Sequence, residues 1–200
     1  LYALENWAPD SYEVLVFHKG PLSGRALKAL ERLRRASFRG GGTANITVRA
    51  VDLSASPSQT WLKVWGRRSP KARPPWVMVL YPPSAGLPGI AWQGPLSPEA
   101  VARLLDSPAR RKIAEHLLDG DAAVWVVVES GDRVKDGRFI SRLKRLLLKM
   151  EREIEVHFLD PITGEDSTER PNFSIVRVSR GDPAERAFVQ MLLHIEPGLE

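Results

Sequence analysis

The alternation of short apolar runs with amphipathic segments constrains the fold of this chain more than any other feature. Residues 12–17, 46–51 and 76–81 are rich in β-branched and aromatic residues, a composition typical of strands. Apolar residues recur at helical spacing between Ala26 and Leu33, with arginine and lysine between them. Strands that alternate with amphipathic helices predict an α/β fold.

The same alternation continues in the second half of the chain. Strand-like runs lie at 124–128, 156–159 and 173–178, and the apolar positions within 139–154 recur at helical spacing opposite a basic face. The run 182–185, Asp-Pro-Ala-Glu, has the spacing of a capping box with proline at the first helical position. It predicts a last helix that begins at residue 183.

Gly120 marks the boundary that we predict between two domains. A glycine tolerates the left-handed conformation that ends many helices, and the apolar run that follows Gly120 begins a new strand. We therefore predict one domain in residues 1–119 and a second, smaller α/β unit in residues 120–200.

The order of elements over residues 12–105 is strand, helix, strand, helix, proline, strand, strand, helix. The run 75–81, Pro-Trp-Val-Met-Val-Leu-Tyr, is followed at 94–99 by Gly-Pro-Leu-Ser-Pro-Glu. This order and these two runs resemble the thioredoxin family, in which a strand opens with a cis-proline and a glycine, a leucine–serine pair and a helix start follow it. The resemblance implies a thioredoxin-like three-layer sandwich with a mixed central sheet, and it makes Pro75 the cis-proline candidate.

The residues that give the family its redox chemistry are missing. Alignment with the family places Ser23, Gly24, Arg25 and Ala26 where its members carry Cys-Gly-Pro-Cys, and the chain contains no cysteine. Thiol–disulfide exchange needs an attacking thiolate and a second sulfur. We therefore expect a redox-inactive domain, with no catalytic residue at these positions and no thiol–disulfide oxidoreductase activity.

Two further residues belong to the groove that the resemblance implies. His18 ends the first predicted strand, near the former redox positions, and Trp76 directly follows Pro75, where the family usually has a small residue. We expect the bulky ring of Trp76 to fill the groove. The frame is therefore interpreted as a scaffold or a protein-interaction module, with a protein partner whose identity the sequence does not give, rather than as an enzyme.

Two other functions stay open. A glutathione-transferase-like enzyme would use the Ser23 hydroxyl to activate the glutathione thiol, although the strands predicted after residue 119 differ from the all-helical second domain of those enzymes. The formal net charge is +5, and basic residues outnumber acidic ones in residues 1–150, whereas the reverse holds in 151–200. Clustered basic residues can bind the phosphates of nucleic acid or of anionic lipid.

No metal or cofactor is predicted. The histidines at 18, 116, 157 and 194 share no metal-ligand spacing with one another or with an acidic partner. The triple glycine 40–42 is not followed by the lysine and hydroxyl residue of a phosphate-binding loop, so it is interpreted as a helix stop.

The second unit and the location are inferred from resemblance. Residues 121–195 resemble a second, degenerate thioredoxin-like unit, and the whole arrangement resembles bacterial secreted proteins with cysteine-free thioredoxin-like domains. This resemblance favours a periplasmic or secreted location. The chain begins at Leu1 rather than at Met, and we expect an upstream segment.

Overall fold

A computed structural model describes residues 10–159 and 164–193. These residues form α/β structure, as the sequence predicts. They fall into two compact units, the first made of residues 10–105 with 190–193 and the second of Asp106–Val189. Residues 1–9 and 194–200, which the predicted domains include, lie outside the described residues. No helix within the described ranges is long and apolar enough to cross a membrane.

The first unit is built on a mixed four-stranded sheet. Its strands are β1 (Tyr12–His18), β2 (Ile46–Asp52), β3 (Trp76–Leu80) and β4 (Ile90–Pro95), in the spatial order β2-β1-β3-β4. β2 is parallel to β1, whereas β3 is antiparallel to both β1 and β4. The helices are α1 (Gly24–Ala36), α2 (Gln59–Gly66) and α3 (Pro98–Leu105), and a 3₁₀ turn at Phe38–Gly40 follows α1. This is the order of elements that the sequence predicts.

The core of the first unit lies on both faces of this sheet. Side chains alternate between the two faces along a strand, and four consecutive residues of β1 from Val14 to Phe17 are fully buried. Leu15 and Phe17 belong to a cluster on which α2 packs through Trp61 and Trp65. Val14 and Val16 point to the opposite face. On α1 the helical periodicity buries one stripe, made of Ala29, Leu30 and Leu33.

The second unit is organised around two parallel strands, β5 (Ala123–Glu129) and β8 (Phe173–Ser179). Its other elements are α4 (Pro108–Leu118), α5 (Arg133–Glu153), and the antiparallel hairpin of β6 (Val156–Leu159) and β7 (Asp166–Glu169). The buried stripe of α5 packs against both parallel strands. It consists of Ile140, Leu143 and Leu147, which contact Val127 of β5 and are joined by Phe173 and Ile175 of β8.

The division between the units lies after Leu105, whereas the sequence places a boundary after residue 119. The difference arises from α4, which contacts β5 and β8 and therefore belongs to the second unit. The last helix, α6 (Arg186–Leu193), begins later than the predicted capping box. Asp182 instead accepts a hydrogen bond from the amide of Ala184 (2.8 Å) in a turn, and Glu185 is buried and bonded elsewhere.

Candidate functional site

The candidate site lies at the edge of the first sheet where β1 and β2 end. These strands are parallel and His18 is the register partner of Asp52, so the two residues reach this edge side by side. β3 runs in the opposite direction and begins at Trp76, so the loop before it arrives at the same edge. The Pro74–Pro75 peptide bond in that loop is cis, which is the isomer that the resemblance implies for Pro75.

The loop after β1 is held by His18 and Asp52. Nδ1 of His18 lies 2.7 Å from the carbonyl oxygen of Gly20, and because a carbonyl only accepts, Nδ1 is the donor. The amide of Gly20 donates to Oδ1 of Asp52 (3.1 Å), which also accepts from the amide and the hydroxyl of Ser54 (2.9 and 2.6 Å). The side chain of Asp52 therefore fastens two loops to each other.

These hydrogen bonds also set the protonation of Asp52. The bond from the Ser54 hydroxyl, then those from the amides of Ser54 and Gly20, lower the pKa of Asp52 below its ordinary value, and His18 adds a smaller electrostatic contribution. Because these donors favour the ionised carboxylate, Asp52 acts as a fixed acceptor at neutral pH. It is thereby unsuited to deliver a proton.

The four residues that the sequence alignment sets against the family's redox motif lie at the start of α1. Ser23 is the N-cap residue, but its side chain makes no capping hydrogen bond within the described part of the chain. Gly24 has a φ of 54°, in the left-handed region that favours glycine. Ala26 is half-buried, while Ser23 and Arg25 are exposed. Ser23, Gly24, Arg25 and Ala26 therefore lie in the first turn of α1 and its N-cap.

Arg25 connects the starts of two helices. It forms an ion pair with Glu99, in the first turn of α3, and both side chains are exposed. The pKa of Glu99 is lowered first by its own amide and then by the Ser97 hydroxyl, and Arg25 contributes less than either. An exposed ion pair of this kind contributes little to stability. It does, however, engage the guanidinium of Arg25 with a carboxylate of the same unit.

Trp76 packs against the core of the first unit. Its ring lies with Phe17 and Met78 in the cluster covered by α2, and its Nε1 donates to Oε1 of Gln93 (3.3 Å). Because side chains alternate along β1, His18 points to the face opposite to Phe17. His18 and Trp76, the two residues that the sequence assigns to the groove, therefore lie on opposite faces of the sheet.

The cis-proline loop offers little to a ligand. Neither Pro74 nor Pro75 has an amide hydrogen, and the carbonyl oxygen of Pro75 accepts from the amide of Leu96 (3.1 Å). No group of three His, Cys, Asp or Glu side chains that could hold a metal ion occurs in residues 10–159 and 164–193. Most of the polar groups at this edge are thus bonded to one another.

A second polar cluster, which the sequence does not reveal, lies in the second unit. Nδ1 of His116 is 3.1 Å from Oδ2 of Asp121, whose carboxylate is buried, and Asn172 donates a short hydrogen bond to Oδ1. His116 also lines a cavity of about 330 Å³, together with the side chains of Lys144 and Glu151. Oδ2 of Asp121 has no hydrogen-bond partner among the described residues, so His116 and Asp121 are close to each other without a hydrogen bond between them.

The end of α4 explains how this cluster forms. The amide of Asp121 donates to the carbonyl of His116 (3.0 Å) and that of Gly120 to the carbonyl of Leu117 (3.3 Å), with Gly120 at a φ of 99°. These two bonds are the Schellman motif, which brings the second residue after the helix beside its last turn. The sequence signal for this cluster is therefore the glycine in the run His-Leu-Leu-Asp-Gly-Asp. By ending the helix there, the glycine brings the final aspartate beside the histidine.

Comparison of the chain with protein-family models, with curated proteins and with solved structures found no match. The assignment of a function therefore rests on the geometry and chemistry of the sites described above.

Proposed function

We propose that the first unit is a redox-inactive thioredoxin-like domain that serves as a non-catalytic scaffold or protein-interaction module. Four features support this proposal: the order β2-β1-β3-β4, the parallel β1–β2 pair beside two antiparallel pairs, the cis bond at Pro75, and the start of α1 at Ser23. The sequence-based alignment places the missing cysteines at Ser23 and Ala26 in this frame.

The observation that carries the non-catalytic part of the proposal is the hydrogen bonding at the sheet edge. Gly20 uses both its amide and its carbonyl within the protein, Asp52 accepts three bonds, and the carbonyl of Pro75 is bonded to Leu96. Acid–base catalysis needs a side chain that is free to move a proton, and the carboxylate of Asp52 is held as an acceptor by its three donors. Because these groups are engaged, the edge is suited to hold the loops together.

The second unit extends this proposal. Its parallel strands β5 and β8 are connected through α5 and the β6–β7 hairpin, whereas β1 and β2 are connected through α1. We propose it as a second, degenerate unit of the same kind. In the proposal the two units belong to a bacterial protein that acts outside the cytoplasm by contact with a protein partner.

An engineered disulfide tests the frame. In a thioredoxin-like frame the Ser23→Cys, Ala26→Cys variant should close an intramolecular disulfide under mild oxidation, detected as resistance to thiol alkylation in mass spectrometry. The matched control is Ser23→Cys, Lys28→Cys, because residues five apart at a helix start lie beyond disulfide reach. If both variants stayed fully alkylated, or both closed, the proposed register would be wrong.

A glutathione assay tests the non-catalytic assignment. The unmodified protein should show no glutathione binding by calorimetry and no conjugation of glutathione to 1-chloro-2,4-dinitrobenzene. Ser23→Ala should behave in the same way. Conjugating activity that disappears in Ser23→Ala would replace the proposal with a glutathione-transferase-like enzyme.

A further inference from the structure

We propose that the cavity at the end of α1 binds a small molecule through a phosphate group. The cavity has a volume of about 420 Å³ and is lined by three arginines, Arg34, Arg39 and Arg49, and by Glu13 and Thr47. Glu13 and Thr47 lie near the beginnings of β1 and β2, whereas His18 and Asp52 end these strands. The site is therefore at the other end of the sheet and does not depend on the proposed function.

The charges around the cavity are unbalanced. Three guanidinium groups, which stay protonated at all ordinary pH values, face one carboxylate. Arg49 shares that carboxylate, since its Nε lies 3.6 Å from Oε1 of Glu13. Neither Arg34 nor Arg39 takes part in an ion pair within the described residues. Two positive charges are left uncompensated, and they favour a ligand with at least two negative charges.

The side chain of Arg49 is held in place by Trp61 and Glu13. Its guanidinium carbon lies 5.3 Å from the centre of the Trp61 ring, and Trp61 itself packs against the buried cluster of Leu15 and Phe17. Stacking on an aromatic ring and an ion pair both restrict a long side chain before any ligand arrives. This arrangement lowers the entropy that Arg49 would lose on binding.

The position of Arg39 relative to Arg34 is also fixed. The hydroxyl of Ser37 donates to the carbonyl of Arg34 (2.6 Å) and accepts from the amide of Gly40 (3.2 Å). Gly40 can approach α1 this closely only because it has no side chain, since a Cβ there would lie 1.9 Å from the carbonyl oxygen of Arg34. Arg39 is therefore carried on a turn that is locked against the helix bearing Arg34.

The arginines, rather than the glycine-rich backbone, would bind the anion. The amides of Gly40 and Gly42 both donate to the carbonyl of Ser37 (2.9 and 3.0 Å), and that of Gly41 donates to the carbonyl of Phe38 (3.2 Å). These amides are used within the loop, in keeping with the interpretation of the triple glycine as a helix stop. The guanidinium groups are therefore the donors that remain for an anion. Their planar array of N–H groups matches the oxygens of phosphate.

The size of the cavity favours a small phosphorylated molecule. Pockets for small ligands commonly enclose about 300–1,000 Å³, and the volume here lies near the lower end of that range. A nucleic-acid strand or an anionic membrane would instead contact a wider basic surface and would draw on arginines outside the cavity. The test therefore asks whether binding depends on the arginines of the cavity alone or also on arginines outside it.

The test compares two matched double variants of the full chain. Arg34→Gln, Arg39→Gln removes the two unpaired charges, and Arg32→Gln, Arg35→Gln removes two exposed charges of the same helix that do not line the cavity. The probe is inorganic pyrophosphate, measured by isothermal titration calorimetry. We expect the cavity variant to bind at least about tenfold more weakly than the wild type, and the control variant to bind within about twofold of it.

Three results would overturn the proposal. The first is that wild-type protein does not bind pyrophosphate, and the second is that both double variants lose the same affinity, which would indicate diffuse attraction. The third is that a single-stranded oligonucleotide, or phosphatidylcholine vesicles containing phosphatidylserine, bind more tightly than pyrophosphate and respond to both variants. Because all four substituted arginines are exposed, far-ultraviolet circular dichroism should confirm that each variant folds.

Discussion

Replacement of Glu185 with alanine should destabilise the second unit, because this carboxylate completes the start of α4. Glu185 is only 4% exposed, and its Oε1 accepts a hydrogen bond of 2.7 Å from the amide of Ala109. Pro108 has no amide hydrogen. Ser107 accepts from the amide of Arg110 through its hydroxyl (3.4 Å) and from the amide of Arg111 through its carbonyl (3.1 Å). Glu185 thus supplies the one partner that α4 cannot provide for itself.

The magnitude follows from two losses and one gain. A hydrogen bond to a charged group contributes about 1.5–3 kcal/mol, and a negative charge at a helix N-terminus adds about 0.3–1 kcal/mol. Against this, Oε2 of Glu185 has no hydrogen-bond partner among the described residues, and a buried charge that is only partly bonded is costly to keep. Alanine removes that cost, so we expect a net loss of about 2 kcal/mol in the free energy of unfolding.

The assay is urea denaturation, combined with hydrogen exchange of the Ala109 amide measured by NMR. A loss of about 2 kcal/mol should speed exchange of that amide about thirtyfold where it exchanges by unfolding of the unit. The matched control is Glu115→Ala, an exposed carboxylate on the same helix, which should change stability by less than about 0.5 kcal/mol. If Glu185→Ala were as stable as the control variant, or more stable than the wild type, the cost of burying the carboxylate would exceed the value of its hydrogen bond.

Two further predictions concern the backbone and the pH dependence. Gly137 lies inside α5, where an added Cβ would meet no atom within 4 Å, so Gly137→Ala should raise the free energy of unfolding by about 0.5–1 kcal/mol. Gly24 has a φ of 54°, so Gly24→Ala should lower the free energy of unfolding by about 1 kcal/mol. If urea denaturation showed both substitutions to change stability in the same direction, this reasoning would be contradicted. The pKa of Asp52 is depressed in the folded protein, so its stabilising contribution is complete above the ordinary aspartate pKa and is lost as the pH falls through the depressed value. Asp52→Asn should therefore flatten the acid side of a plot of melting temperature against pH, and an unchanged slope would show that Asp52 does not titrate with unfolding.

The elements of the first unit could be predicted because their signals are local. The apolar run at 76–81 stands between prolines, and the observed strand is Trp76–Leu80. The predicted strand at 12–17 corresponds to Tyr12–His18. In contrast, β7 (Asp166–Glu169) has the polar sequence Asp-Ser-Thr-Glu and becomes a strand only by pairing with β6. A strand that owes its existence to a partner carries no pattern of its own.

The contents of the sites depend on pairing that a single sequence does not encode visibly. That Trp76 shares a face with Phe17 follows from the register of β3 on β1, which is set by contacts far apart in the chain. Glu185 has the spacing of a capping box, yet its carboxylate bonds Ala109. In both cases the local sequence pattern singled out the residue, Trp76 or Glu185. It did not show which distant group the side chain contacts.

The proposed non-catalytic role of this edge of the first sheet rests on its hydrogen bonds as well as on the absence of cysteine. A hydroxyl at a helix start, such as Ser23, can serve as a nucleophile when a base lies beside it and an open loop admits the substrate. Here Nδ1 of His18 donates to the carbonyl of Gly20, Asp52 is held as an acceptor by three donors, and the two prolines supply no amide hydrogen. Cysteines introduced at positions 23 and 26 would thus add two thiols while leaving the surrounding groups bonded within the loops. At the arginine cavity the backbone amides are likewise bonded within the loop. The cavity differs from the edge because its charged side chains remain available to bind a ligand.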